Sequence, residues 1–79
     1  MITKVTTTFA DGSVFPFEFN ESHILKTFRY LKGKHEGRRP VLIQVEVEKP
    51  SEMDWKNILD LKFMLHPRDG RLEVHIDYL

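Results

Sequence analysis

Four histidines, His23, His35, His66 and His75, are the side chains best suited to move protons or bind metal near neutral pH. Their spacing builds no site. None has a second histidine at i+3 or i+4, so there is no helical metal pair. His66 and His75 are expected on the two strands of one hairpin, facing outward, with His66 opposite Arg71 and His75 opposite Lys62. About four residue rises, on the order of 13 Å, separate them, which is too far for one ion. Both read as polar residues on a solvated sheet face. Ser13, Ser22 and Ser51 fall at turns or helix starts, outside any nucleophile-elbow context. Gly12, Gly33, Gly37 and Gly70 are isolated and suit turns or caps, so no phosphate-cradling loop is present. The absence of cysteine excludes disulfides, thiolate metal sites and thiol catalysis. Glu46, Glu48, Glu73 and Asp77 gather on the outward sheet face. Paired carboxylates do acid–base work where burial separates their pKa values, and a half-open face gives little burial. The expectation is a protein that is not an enzyme, with no catalytic residue, cofactor or metal.

Charge placement says more. The net charge is zero, yet residues 26–39 hold Lys26, Arg29, Lys32, Lys34, Arg38 and Arg39 against Glu36 alone. Residues 41–60 hold Glu46, Glu48, Glu52, Asp54 and Asp60 against Lys49 and Lys56. Tyr30 is expected on the exposed side of the basic helix, near Lys26 and His23. A basic end with an exposed aromatic suits phosphates and a stacked base. No helix-turn-helix pattern, RNP motif or GXXG loop accompanies it. The second candidate surface is an acidic and apolar outer face made of Leu42, Gln44, Glu46, Glu48, Met64, Glu73, His75 and Asp77, with Ile2, Val14 and Pro16 beside them. Contiguous exposed apolar residues mark interfaces.

These surfaces must be positioned by regular elements. Residues 3–9 and 13–19 alternate at period two, with Val5, Thr7 and Phe9 on one side and Phe15, Phe17 and Phe19 on one side. A three-residue loop, Ala10-Asp11-Gly12, with Gly12 at positive φ, sets Thr7 opposite Phe15 and Val5 opposite Phe17. Pro16 has no N–H to donate, which predicts an edge strand. A helix is predicted over 21–32, capped by Asn20 and ended by Gly33, with Ile24, Leu25, Phe28 and Leu31 as its apolar stripe. Asn20-Glu21-Ser22 is thereby read as capping and not as a glycosylation site. After a loop over 33–40, Val41, Ile43, Val45 and Val47 point inward from a strand over 41–48. Ser51 and Asp54 suit a capping box for a short helix to about Leu59 that buries Trp55, Ile58 and Leu59. Residues 61–66 and 71–78 alternate again and are predicted as a closing hairpin pairing Leu65 with Leu72, Phe63 with Val74 and Leu61 with Ile76.

The resulting order, ββαβαββ, predicts a single α+β domain over 1–79. It is a two-layer sandwich with a mixed five-stranded sheet and one main and one short helix on one face. A β-grasp-like arrangement is the alternative, on element order alone. The chain has 79 residues, 41% hydrophobic and 11% aromatic. A domain this small buries only about 60% of its unfolded surface, so a homodimer would ease the small-core problem. No apolar run approaches a membrane span and Met1-Ile2-Thr3-Lys4 does not open an apolar signal segment, which makes a cytoplasmic protein the expectation and a membrane partner not. In size and lack of motifs the chain resembles phage and mobile-element accessory proteins, anti-CRISPR inhibitors among them. The expected function is protein binding, as an interaction module or an inhibitor that occludes a site on a larger complex. The alternative is nucleic-acid binding through residues 26–39.

Overall fold

The computed structural model describes residues 1–19, 24–35, 37–65 and 72–79, with the backbone alone for 24–28 and 65. The elements are β1 (Ile2–Phe9), β2 (Val14–Glu18), α1 (Ile24–His35), β3 (Pro40–Val47), α2 (Glu52–Leu65) and β4 (Glu73–Tyr78). Among the described residues the sheet is mixed and has four strands, not the five expected, in the order β2-β1-β3-β4. The strand expected at 61–66 does not form: residues 61–65 continue α2, and 66 lies outside the described residues. The β-grasp alternative rests on the element order hairpin, helix, strand, helix, strand, which the chain has; in the sheet, β3 stands between β1 and β4.

The β1–β2 hairpin has the expected register, Thr7 with Phe15 and Val5 with Phe17. Gly12 sits at φ 88° in its turn, a conformation that only glycine adopts without strain. Asp11 Oδ1 accepts hydrogen bonds from the Ser13 N–H (2.9 Å) and the Ser13 hydroxyl (2.6 Å), which closes the turn. Pro16 lies on an edge strand, as its missing N–H requires.

β1 runs antiparallel to β2 and to β3, whereas β3 and β4 are parallel. Parallel neighbours need a crossover, and α2 supplies it. α1 carries the chain from β2 across β1 to β3. Both crossovers step the same way across the sheet, so the right-handed rule puts both helices on one face. Leu31 of α1 and Ile58 and Leu61 of α2 indeed share one core with Val5, Ile43, Val45 and Val47. Phe15, Phe17, Val74 and Ile76 pack against it from the two edge strands.

Two further expectations change, and a third lies outside the described residues. α1 does not stop at Gly33 but runs to His35, and Gly37, at φ 73°, takes the left-handed position after it. The cap expected at Asn20 lies outside the described residues. A register shift between Ile2 and Lys4 leaves Thr3 as a bulge, which turns Ile2 into the core beside Val47 instead of onto the outer face.

α2 begins with the expected reciprocal cap. The Asp54 carboxylate accepts from the Ser51 N–H at 2.8 Å, and the Ser51 hydroxyl accepts from the Asp54 N–H at 3.3 Å. The same carboxylate takes the Met1 ammonium at 2.7 Å.

Candidate functional site

Among the described residues, the outer face of the sheet carries no helix. The pairing aligns Leu42 with Glu73, Gln44 with His75 and Glu46 with Asp77, so six of the residues expected there do share a face. Glu48 is exposed just past the end of β3. Met64 does not join them, because it lies on α2 and packs against the core. The apolar character expected of this face is also broken up. Val14 is followed across the sheet by Thr8 and then Leu42, and Pro16 by Thr6 and then Gln44. Lys4 stands between Glu18 on one side and Glu46 on the other. Among the described residues the face is polar and acid-bearing, without a contiguous apolar row across the strands. His75 stays exposed on it, and Lys62 is on α2, so the pair expected from the hairpin does not exist. His66 and Arg71, with His23, lie outside the described residues.

The basic segment divides by task. Arg29, Lys32 and Lys34 are exposed on α1; the side chain of Lys26 is outside the described set. Tyr30 is 47% exposed and lies against Phe17 and Phe15, with ring centroids 5.0 and 6.5 Å away. The Lys34 ammonium stands 5.5 Å from the Tyr30 ring centre. Arg38 is tied down: its guanidinium lies 3.8 Å over the Phe9 ring and donates to the Ser13 hydroxyl at 2.7 Å. That network holds the Asp11 carboxyl below the usual carboxylate range, through the Ser13 hydroxyl first, then the Ser13 N–H, with Arg38 adding a smaller effect. Arg39 is exposed, and its carbonyl accepts from the Ala10 N–H at 2.8 Å.

His35 was expected in a loop and is instead the buried last residue of α1. Its Nδ1 donates to the Leu31 carbonyl, and its Nε2 accepts from the Thr7 hydroxyl at 2.8 Å. The rings of Phe9 and Phe15 lie against it. Burial lowers its pKa below the ordinary histidine value and Arg38 pushes the same way, against the opposing hydrogen bond to Leu31. A neutral ring with both nitrogens engaged anchors α1 to β1 and has no free lone pair for chemistry. Among the described residues, no group of three or more His, Asp or Glu side chains is placed to hold a metal ion.

The most unusual surface is one the sequence reading buried. Trp55, Leu59 and Phe63, at i, i+4 and i+8 of α2, are 41%, 53% and 75% exposed. The core side of the helix is Asp54, Asn57, Ile58 and Leu61 instead. Tyr78 on β4 is 67% exposed and stands 6.3 Å from Trp55, centroid to centroid. Three aromatics and a leucine thus run from β4 over the outer side of α2. A helix through residue 65 was the missing premise: with α2 ended near Leu59, Phe63 takes a strand parity and the row is invisible.

Fold and surface together define a small α+β domain with three candidate faces: an acidic sheet face, a basic aromatic end and an apolar helix row. No protein-family model matches the chain, and neither a curated protein nor a solved structure matches it. Among the described residues no helix is long and apolar enough to cross a membrane.

Proposed function

We propose that this chain is a non-enzymatic protein-binding module, an adaptor or an inhibitor that occludes a site on a larger assembly, with α2 as its contact surface. The observation that carries the proposal is the exposed row Trp55, Leu59 and Phe63 at one helical spacing. Single exposed apolar residues are ordinary, but a row of three large ones beside an exposed tyrosine presents anchors at the spacing an apolar groove reads from a helix. Trp and Tyr are the residue types that dominate binding energy at interfaces. Lys56, Asp60 and Lys62 interleave with the row and supply a polar rim.

The experiment is recovery of partners from a lysate of the source organism with wild type, Leu59→Ser and Phe63→Ser as baits. A stoichiometric partner held by wild type and lost with both variants supports the proposal. A partner held equally by all three refutes α2 as the contact.

A second reading, nucleic-acid binding by residues 26–39, draws on one observation. Tyr30 remains open to solvent beneath the Lys34 ammonium, with Arg29 and Lys32 exposed on the same helix. It requires affinity for single-stranded DNA or RNA that falls steeply with salt and drops in Tyr30→Ala. Binding absent at low salt removes it.

A further inference from the structure

We propose that a second copy of this chain pairs antiparallel with β4, edge to edge, about a two-fold axis at Ile76. This goes beyond the partner surface on α2 and rests on the backbone edge of β4, with Tyr78 and Trp55 bordering both.

The two edges of the sheet are not equivalent. The Phe19 N–H donates to the Thr3 carbonyl, so on β2 the odd residues face β1 and Val14, Pro16 and Glu18 turn their backbone outward. Pro16 therefore interrupts the donor row at its middle. On β4, the Leu79 N–H donates to the Val47 carbonyl. Glu73, His75 and Asp77 accordingly face β3, and Val74, Ile76 and Tyr78 direct their N–H and C=O groups away from the sheet. No described strand lies on that side. Every one of these three has an N–H, so β4 is the edge open to strand addition.

The side chains select both the partner and the register. In an antiparallel pair, opposite residues share a face, and a slip by one residue sets inward against outward side chains. Among registers that keep the faces matched, two overlap most of β4. Centred on His75, the pair places Glu73 opposite Asp77 of the second copy, twice, which sets like charges together. Centred on Ile76, it places His75 opposite Asp77 of the second copy, twice. There an imidazole N–H meets a carboxylate in either protonation state of the ring. The His75–Asp77 contacts then occupy the non-hydrogen-bonded positions, where side chains approach most closely. Ile76 with Ile76 and Val74 with Tyr78 take the hydrogen-bonded positions, which are the residues whose backbone groups face the open edge. On the helix side of the seam all of these are apolar, and Trp55 stands beside Tyr78 there. The result is one sheet continuous across both copies with all helices on one side.

The test is sedimentation equilibrium of wild type, His75→Asp, Asp77→His and the double variant. All three side chains on this face of β4 are exposed, so the fold is not at stake. Wild type is expected to be a dimer. His75→Asp sets aspartates opposite each other at both contacts and is expected to weaken the dimer by about tenfold or more. Exchange of both residues restores the opposite charges and is expected to restore the dimer. Emission of Trp55, the one tryptophan, shifts to the blue with concentration in wild type and less in His75→Asp. A wild type that is monomeric at every concentration overturns the proposal. So does a dimer that His75→Asp leaves unchanged, or one that the double variant fails to restore.

Discussion

The Nε2 atom of His35 accepts a hydrogen bond from the Thr7 hydroxyl, 2.8 Å away, where both residues are buried. The contact joins the last turn of α1 to the second half of β1, through residues 28 apart in sequence. In the neutral ring that burial favours, Nδ1 spends its proton on the Leu31 carbonyl and Nε2 is left to accept.

Stability is therefore expected to depend on pH. The folded ring holds its pKa below the ordinary 6.5, so between that value and the folded pKa the unfolded chain binds more protons. Stability then rises with pH across this window: the contribution is complete above about 6.5 and is lost as pH falls through the folded pKa. Urea unfolding on both sides of pH 6.5 measures it, and in His35→Phe the slope is expected to shrink. A slope unchanged by that substitution assigns it to another histidine. At neutral pH Thr7→Val leaves Nε2 without a donor and is expected to cost about 1–3 kcal/mol.

Leu61 and Phe63 separate a helix from a strand at 61–65. In α2, Leu61 is buried and Phe63 exposed, so Leu61→Ala is expected to cost about 2–5 kcal/mol. Phe63→Ser is expected to stay within about 0.5 kcal/mol of wild type. A hairpin with both residues inward gives large losses for both, so two denaturation curves decide between them.

The start of α2 is held more tightly by Asp54 than by Ser51. Ser51→Ala removes one capping acceptor, at about 1 kcal/mol. Asp54→Ala removes the acceptor of the Ser51 N–H and the partner of the Met1 ammonium together, and is expected to cost about 2–3 kcal/mol. Thermal unfolding should rank Asp54→Ala below Ser51→Ala; equal losses count against the ion pair as a stabilising contact.

The β1–β2 hairpin, the inward Ile43, Val45 and Val47 of β3, and the Ser51–Asp54 cap were legible because each depends on neighbours in sequence, whereas Val41, expected inward, falls at the register shift beside Pro40 and is only half-buried. Parity, a glycine at positive φ and a reciprocal cap are local rules, and Pro16 marks its own edge. Residues 61–65 were not legible by such rules. Leu61-Lys62-Phe63-Met64-Leu65 alternates like a strand, yet Ile58 and Leu61 are also spaced as one side of a helix. The sign that favoured the helix was the absence of any Gly or Pro from Ser51 to His66.

The sequence by itself determined which residues alternate, where the chain turns and that charge divides into a basic end and acidic strands. Tertiary structure alone decided the period of the ambiguous segment, and with it the apolar row on α2 and the edge of β4. β4 lies parallel to β3, and a parallel return needs a crossover of about a dozen residues or more, which α2 supplies by running through 65. That choice took Met64 off the outer face and set Trp55, Leu59 and Phe63 to solvent. It also made β4 an open edge, because the strand that would have paired with it became the helix above.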